Sequence, residues 1–281
     1  DSLSSWSGYY FDVTECLERG RSRYQEYEVW HSPLFGRMFR LDGCAMTSEA
    51  DEFIYHENLI HVPGLAHAGP RSALVIGGGD GGSAEELFKY RTMQQVVLVE
   101  LDEKVIELAR KYFPAVHRGA LDDPRLELRV QDGLDYVRRV APAEGRKFDL
   151  VVLDLTDPVG PAAALYQEEF FRACKALLTE GGALSLHVGA PDHQPERVRE
   201  LLRRLRAVFA CVRPHLHYIP LYGANWMLAC ASDALDPVSL DPATVDARIA
   251  ERGLGELRYL DGETYRARLV LPRYLREIVQ P

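Results

Sequence analysis

The 281-residue sequence has no long apolar run, and no stretch approaches the roughly 18 residues that a membrane-spanning helix requires. Its first residues carry neither the basic nor the apolar region of a signal peptide. These two absences argue against a membrane anchor and against secretion. We therefore expect a cytoplasmic protein with no membrane partner.

Cysteine is also scarce, with five residues scattered along the chain and no Cys-x-x-Cys pair. An odd number without a spacing pattern argues against a disulfide framework and against a zinc site. His215 and His217 share one face of a predicted strand, but the sequence offers no third ligand nearby. We therefore predict that the protein binds no metal.

Lysine and arginine are outnumbered, with 33 against 42 aspartates and glutamates and a formal net charge of −9. Binding to nucleic acid depends on clustered Lys and Arg, so we expect no nucleic-acid partner. The one dense basic run, residues 197–206, mixes arginine with leucine and predicts an amphipathic helix with a solvated basic face. An acidic protein can instead steer cations toward a carboxylate-lined cleft.

The sequence divides into two regions with different patterns. Residues 22–62 begin with alternating apolar and polar residues that predict strands, and Asp42-Gly43 is a hairpin signal between two of them. A helix is predicted from Tyr55 to Val62. These patterns predict a small N-terminal antiparallel β domain and a larger second domain, residues 1–66 and 67–281.

From residue 72 onward, short apolar strands alternate with amphipathic segments of helical period. This pattern predicts an α/β fold with a parallel sheet covered on both faces by helices. Residues 215–220 and 226–231 are close enough in sequence to form an antiparallel pair at the sheet edge. The predicted parallel strands are Ala73–Ile76, Val96–Val99, Leu126–Val130, Leu150–Leu153 and Ala183–His187.

A glycine-rich loop follows the first of these strands, with Gly77, Gly79 and Gly82 in the form Gly-x-Gly-x-x-Gly. Glycines let the backbone approach a ligand closely, and an acid at the end of the next strand, here Glu100, can accept hydrogen bonds from ribose hydroxyls. A plain tight turn is the alternative. The strand before the loop, the helix after it and Glu100 together favour a nucleoside-containing ligand.

Asp80 lies inside this loop and discriminates between nucleoside ligands. Its carboxylate repels a nearby pyrophosphate and also the carboxylate of intact S-adenosylmethionine, but it attracts an ammonium group. We therefore expect a cofactor with a cationic tail, such as decarboxylated S-adenosylmethionine. The alternative is an aspartate that only caps the following helix.

Two further acidic segments follow predicted strands. Asp132-Gly133 is placed to meet an adenine amino group, although helix capping explains it nearly as well. Asp154 and Asp157 follow the fourth strand on a turn rich in proline and glycine, where open α/β sheets place reactive groups. A carboxylate there can orient an amine and accept its proton, whereas an ordinary Asp-Pro turn is the alternative.

These motifs together resemble the polyamine aminopropyltransferases, the spermidine synthase family. The resemblance covers nearly the whole chain in the same order, and it implies a seven-stranded Rossmann-like methyltransferase fold with a small N-terminal antiparallel β domain. It also implies a homodimer or homotetramer. The segments that carry it are Tyr24-Gln25, Asp42-Gly43, Asp51–Glu57, Gly77–Gly82, Glu100, Asp132-Gly133, Asp154–Pro161, Ile219–Tyr222 and Leu271-Pro272.

The resemblance implies a role for each matching residue. The co-substrate is decarboxylated S-adenosylmethionine, no cofactor is tightly bound, and the reaction transfers an aminopropyl group to an amine and releases 5′-methylthioadenosine. Asp154 is then the catalytic base, assisted by Tyr55. The implied co-substrate contacts are Gln25, Gly77, Gly79, Asp80, Glu100, Asp132 and Gly133, and the implied acceptor contacts are His56, Asp157 and Tyr222.

Three departures from the family pattern fall on the acceptor side. Leu155 replaces a small hydroxyl residue, and His187 and Gly189 stand where the family usually has Gln and an acid. The segment after Tyr222, residues 223–225, is one residue shorter than usual. Putrescine is the acceptor that the resemblance implies, whereas the departures favour another amine: agmatine, cadaverine, hydroxyputrescine or spermidine.

Three other functions compete with aminopropyl transfer. A methyltransferase on the same fold would bind intact S-adenosylmethionine, which Asp80 and Asp157 disfavour. A non-catalytic polyamine or nucleoside sensor would not need Asp154 and Tyr55. A nicotinamide dehydrogenase would place a pyrophosphate against Asp80.

Overall fold

The computed structural model describes residues 6–158, 160–255 and 257–279. Its N-terminal part is a four-stranded antiparallel sheet in which each strand pairs with the next along the chain. Asp42-Gly43 forms the turn between the last two strands, as the hairpin signal predicted. The strands are β1 (Glu15–Arg21), β2 (Glu26–Ser32), β3 (Gly36–Leu41) and β4 (Cys44–Ser48).

The larger part is built on a seven-stranded sheet in the order β10-β11-β9-β8-β5-β6-β7. Its five strands from β5 to β9 run parallel, and β11 pairs antiparallel with both β9 and β10. The predicted α/β class and the antiparallel edge are therefore confirmed. The strands are β5 (Ser72–Gly77), β6 (Gln95–Glu100), β7 (Leu126–Val130), β8 (Phe148–Asp154), β9 (Leu178–Gly189), β10 (Cys211–Ile219) and β11 (Ala224–Ser232).

Both faces of this sheet are buried, which explains its continuous apolar strands. Along β5, Leu74 and Ile76 pack into one apolar cluster, whereas Ala73 and Val75 pack into another on the opposite face. Alternate side chains of a strand point to opposite faces, so helices must cover both sides. The α-helices of the described residues are α1 (Glu52–Ala66), α2 (Gly82–Phe88), α3 (Glu103–Tyr112), α4 (Pro114–His117), α5 (Gly133–Asp135), α6 (Ala141–Ala143), α7 (Glu168–Ala176), α8 (Pro195–Arg206), α9 (Pro242–Arg252), α10 (Gly262–Arg268) and α11 (Arg273–Val279).

Helix α1 is buried almost all round, and it begins at Glu52, three residues before the predicted start. It packs on the large sheet, where the Ser185 hydroxyl of β9 donates a hydrogen bond to the Leu59 carbonyl at 2.6 Å. The domain boundary after residue 66 stays a prediction. No helix within the described ranges is long and apolar enough to cross a membrane.

The strand order reverses between β5 and β8, and this reversal positions the site. The loops that follow β5 and β8 leave the same edge of the sheet side by side, because Gly77 pairs with Asp154 in register. The Gly78 amide donates a hydrogen bond to the Asp154 carbonyl at 2.9 Å. Ligands of open α/β sheets bind in the crevice at such a switch point.

Candidate active site

The glycine loop packs directly against the acidic groups that follow β5, β6 and β8. A Cβ atom on Gly77 would stand 2.1 Å from the Asp154 carbonyl oxygen, and Gly77 has φ +80°. A Cβ atom on Gly79 would stand 2.8 Å from a carboxylate oxygen of Glu100. Only glycine lets the chain turn and pass this close, so the loop motif is explained by contact with the backbone of Asp154 and with the side chain of Glu100.

Asp80, Asp154 and His56 come together at the centre of the crevice. His56 Nε2 lies 3.6 Å from Asp80 Oδ2 and 3.9 Å from Asp154 Oδ2, and its Nδ1 lies 2.8 Å from Glu52 Oε2. Ser83 donates a hydrogen bond to Asp154 Oδ2 at 2.7 Å. The structure thus gathers two carboxylates from the β5 and β8 loops around an imidazole of α1.

The electrostatics of this cluster prepare a base near neutral pH. Burial raises the pKa of Asp154 to about 6, against the opposing effects of His56 and of hydrogen bonds from Ser83 and Tyr55. Burial alone lowers the pKa of His56, but Asp80, Glu52 and Asp154 together raise it to about 10. At neutral pH, His56 is therefore a cation held between carboxylates, and Asp154 is mostly ionised.

The same cluster is the one place in the described residues where three potential metal ligands converge. Ligand atoms of His56, Asp80 and Asp154 all lie within 4.8 Å of one another. A metal ion would have to displace the proton of His56, which the surrounding carboxylates hold firmly. Organic cations suit this donor set equally well, because an ammonium group donates hydrogen bonds to carboxylates. The absence of a metal stays a prediction.

Glu100 lies beside the glycine loop at the end of β6. It accepts hydrogen bonds from the backbone amides of Gly79 at 3.2 Å and Asp102 at 2.9 Å. Burial raises the pKa of Glu100 to about 7, despite these two hydrogen bonds. A carboxylate held in this way keeps acceptor capacity for ligand hydroxyl groups.

Gln25 comes from the N-terminal sheet and reaches this side of the crevice through Asp102. Its Nε2 donates a hydrogen bond to Asp102 Oδ2 at 3.0 Å, and Ser22 donates to the same oxygen at 2.6 Å. Asp102 also caps α3 by accepting from the Lys104 amide. The sequence analysis missed this role of Asp102, although an aspartate directly before a helix and two residues after the strand-end acid was a usable signal.

Asp132 and Gly133 follow β7 at the same edge of the sheet. Asp132 accepts a hydrogen bond from the Leu134 amide at 2.7 Å and so caps α5. A Cβ atom on Gly133 would stand 2.5 Å from Ile76 Cγ2, so this position also needs glycine. The capping alternative for Asp132 is therefore present in the structure, and it leaves the second carboxylate oxygen available to a ligand.

An aromatic wall lines the other side of Asp154. Tyr55, whose hydroxyl helps to lower the pKa of Asp154, has its ring centroid 6.3 Å from that of Tyr222 and 6.5 Å from that of His187. Trp226 lies 4.9 Å from Tyr222 and 5.9 Å from His187. Burial raises the pKa of Tyr55 and of Tyr222 well above the usual tyrosine value, so both hydroxyls stay protonated.

Asp157, which follows β8, forms an ion pair with Arg197 of α8. Arg197 Nη1 lies 3.1 Å from Asp157 Oδ2, and the Arg197 side chain is only 26% exposed. The expectation of a solvated basic face is therefore wrong for Arg197, because the start of α8 lies against the loop that follows β8 and the pair forms there. Val159, within the predicted Asp154–Pro161 turn, lies outside the described residues.

The fold and the site together define a Rossmann-like α/β enzyme class with an acidic crevice at the switch point. The chain belongs to the spermine/spermidine synthase family, because residues 52–240 match the model of the spermine/spermidine synthase domain. Residues 6–49 match a second model, the spermidine synthase tetramerisation domain. The chain is accordingly a transferase of aminopropyl groups, and it carries a segment typical of oligomer formation.

Sequence relatives and a solved structure that match nearly the whole chain support this assignment. A polyamine aminopropyltransferase of Nitrosomonas europaea is 48% identical over 279 residues, which cover 99% of this chain and 85% of that protein. Polyamine aminopropyltransferase 2 of Hyperthermus butylicus is 39% identical over 95% of this chain and 87% of that protein. A crystal structure of spermidine synthase in complex with the transition-state analogue AdoDATO is 34% identical with a TM-score of 0.89, covering 97% and 91%.

Proposed function

We propose that this protein transfers the aminopropyl group of decarboxylated S-adenosylmethionine to a di- or polyamine and releases 5′-methylthioadenosine. Putrescine is the first acceptor in this proposal, with spermidine as the product. The observation that carries the proposal is the juxtaposition of Asp80 and Asp154 at the switch point, both facing His56. Two carboxylates beside a glycine loop suit a nucleoside with a cationic tail together with an amine nucleophile.

The sulfonium co-substrate supplies an activated carbon and a neutral leaving group. In the proposal, Asp80 binds the ammonium of the aminopropyl tail and Glu100 binds the ribose hydroxyls, while Asp132 and Gln25 complete the nucleoside contacts. The nitrogen lone pair of the acceptor forms the new C–N bond, and the C–S bond breaks with its electron pair going to sulfur. Asp154 accepts the proton that the acceptor nitrogen loses.

The ionisation of the cluster supports this assignment. Asp154 is ionised at pH 7 because its pKa of about 6 lies below that pH, yet it remains a useful base because the value is not far below. A ligand ammonium entering the cluster opposes the charge of His56 and lowers the pKa of that imidazole. His56 can then release a proton and accept a hydrogen bond, which is compatible with its proposed acceptor contact.

The test is a product analysis with purified protein. Decarboxylated S-adenosylmethionine is incubated with putrescine, cadaverine, agmatine, hydroxyputrescine or spermidine, and mass spectrometry identifies the amine products and 5′-methylthioadenosine. We expect both products with at least one of these acceptors. Methylated products from intact S-adenosylmethionine, without any 5′-methylthioadenosine from the decarboxylated form, would contradict the proposal.

The choice of acceptor is the finer part of the proposal. Leu155, His187 and Gly189 depart from the family pattern near Asp157, so another amine from the panel is the alternative acceptor. Comparing kcat/KM across the five amines decides between them. A clear preference for putrescine shows that the departures do not change the acceptor.

Assembly and location complete the proposal. The match of residues 6–49 to a tetramerisation domain supports a homo-oligomer, and we propose a homodimer or a homotetramer. Light scattering on the purified protein distinguishes the two, and a monomer at micromolar concentration contradicts both. We also propose a cytoplasmic location, which fractionation of the source cells tests.

A further inference from the structure

The ion pair between Asp157 and Arg197 occupies a position where the proposed function needs an accessible carboxylate. Arg197 Nη1 lies 3.1 Å from Asp157 Oδ2 and 2.9 Å from Gln194 Oε1. Arg197 Nη2 is buried and has no hydrogen-bond partner among the described residues. The guanidinium is therefore held beside Asp157 through Nη1, and its charge offsets that of Asp157.

His187, beside this pair, has an unused hydrogen-bond acceptor. Its Nε2 lies 2.9 Å from the Leu155 carbonyl oxygen and 2.6 Å from the Tyr166 hydroxyl, which itself donates to the Thr156 carbonyl. Both neighbours therefore accept from Nε2, which must carry the hydrogen. Burial lowers the pKa of His187 and keeps the ring neutral, so Nδ1 has a free lone pair. Nδ1 is buried without a partner in the described part of the chain.

These groups lie on the acceptor side of the proposed reaction centre. The His187 ring lies between Tyr55 and Trp226, with ring centroids 6.5 Å and 5.9 Å away. The Tyr55 hydroxyl in turn lies near enough to Asp154, the proposed base, to lower the pKa of its carboxyl. An acceptor with its reacting nitrogen at Asp154 would extend its other end along this wall toward His187 and Asp157.

We propose that Arg197 is a specificity-determining residue: by pairing with Asp157 it reduces the attraction of the site for a second ammonium at the far end of the acceptor. Nδ1 of His187 remains as a neutral hydrogen-bond acceptor for that end. This inference rests on the proposed function. The charges of Asp157 and Arg197 sum to about zero at the far end of the acceptor. The site should therefore distinguish only weakly between a diamine and an amino alcohol of the same length.

The substitution Arg197→Met tests the inference because it removes the charge and keeps much of the side-chain length. Freed Asp157 then attracts a second ammonium but gains little from a hydroxyl. We expect the ratio of kcat/KM for putrescine to kcat/KM for 4-aminobutan-1-ol to rise about tenfold, mainly through a lower KM for putrescine. The matched control is Arg199→Met on the same helix, whose exposed guanidinium pairs with Glu196, and we expect no change in that ratio.

A double variant shows whether Arg197 acts through Asp157. Asp157→Asn combined with Arg197→Met removes both charges, so we expect the ratio to return to within about threefold of wild type. An unchanged ratio in Arg197→Met, or an equal change in Arg199→Met, overturns the inference. If Arg197→Met does not fold, a more than tenfold loss of putrescine selectivity in the double variant overturns it, because Asp157 would then bind the diamine despite its pair.

The experiment distinguishes a failure of the proposed function from a failure of the inference about Arg197. If wild-type protein releases no 5′-methylthioadenosine with any amine, the proposed function fails and the inference fails with it. If wild type is active and Arg197→Met matches wild type in the ratio, only the inference fails. Thermal unfolding of each variant confirms that the compared proteins are folded.

Discussion

The proposed site has two halves that are built in different ways. In the nucleoside half, defined by Gln25, Glu100, Asp132 and the loop 77–82, backbone amides position the two carboxylates Glu100 and Asp132. Glu100 accepts from the Gly79 and Asp102 amides, and Asp132 accepts from the Leu134 amide. Short segments at the ends of three parallel strands therefore build most of this half, and Gln25 joins them from the N-terminal sheet through Asp102.

The acceptor half, defined by Tyr55, Asp157, His187, Arg197 and Tyr222, depends on side chains from distant segments. Its ion pair joins the loop after β8 to α8, and its aromatic wall joins α1 to β9 and β11. The comparison shows that the nucleoside half follows mostly from backbone contacts at the strand ends, with Gln25 as the exception, whereas the acceptor half follows from contacts between distant side chains. Changes of acceptor can therefore arise without altering the nucleoside contacts.

Asp154 stands between the two halves, and its substitution gives the largest expected effect. Asp154→Asn keeps the shape of the side chain but removes the base, so we expect kcat to fall by roughly 10²–10⁴-fold. Binding of 5′-methylthioadenosine should change little, because the proposed nucleoside contacts lie elsewhere. Steady-state kinetics and calorimetry measure the two effects. A loss of less than about tenfold in kcat would show that Asp154 is not the base.

Glu100→Gln tests the nucleoside half. The variant keeps the side-chain length but loses the charge that strengthens hydrogen bonds to ribose hydroxyls, so we expect the Kd of 5′-methylthioadenosine to rise by roughly 10–100-fold. KM for the acceptor amine should stay within about twofold, since the halves are built separately. Calorimetry at pH 8, above the Glu100 pKa of about 7, gives the comparison. An equal weakening of 5′-methylthioadenosine binding and of acceptor-amine binding would contradict the division of the site into two halves.

The sequence predicted the placement of the glycine loop and of the strand-end acid well because its signals are local. A strand, a glycine loop and a strand-end acid placed Gly79 and Glu100 correctly, and these two residues are in contact. The α/β class and the N-terminal sheet, which alternation and strand length predicted, were confirmed, and so was the seven-stranded sheet that the family resemblance implied. Strand β1 and helices α9 to α11 were not predicted, since their patterns are short or lie outside the recognised motifs.

The acceptor half could not be predicted to the same depth. The basic run 197–206 has a helical period, but period alone does not reveal that Arg197 faces a carboxylate forty residues earlier in the chain. Likewise, Tyr166 holds His187, and no spacing in the sequence connects them. Asp157 was expected to face the acceptor, yet its carboxylate forms an ion pair with Arg197. Pairings between distant segments depend on the packed structure.

The pH dependence of the reaction tests the electrostatics between the halves. As pH falls through about 6, Asp154 gains a proton and can no longer accept one, so we expect kcat to fall about tenfold between pH 7 and pH 5. Ser83 donates a hydrogen bond that lowers the pKa of Asp154. In Ser83→Ala the midpoint of the profile should therefore move to higher pH.

Ser83→Ala also serves as the control in this experiment. Titration of the amine substrates affects both proteins equally, so a difference between their profiles belongs to the enzyme. Circular dichroism at each pH confirms that the protein remains folded. A profile with the same midpoint in both proteins would mean that a group other than Asp154 sets it.

The smallest expected effect concerns Asp132 and whether it belongs to the nucleoside half or only to the fold. Asp132→Ala removes the cap of α5, so we expect a loss of about 1 kcal/mol in the free energy of unfolding. Asp241→Ala is the matched control, because Asp241 caps α9 by accepting from the Thr244 amide at 2.7 Å. Both variants should lose similar stability in denaturant unfolding.

Only Asp132→Ala should also weaken binding of 5′-methylthioadenosine, by about threefold to tenfold, through the lost hydrogen bond to the adenine amino group. Equal nucleoside affinity in the two variants would show that Asp132 only caps a helix. The nucleoside half would then consist of Gln25, Glu100 and the glycine loop.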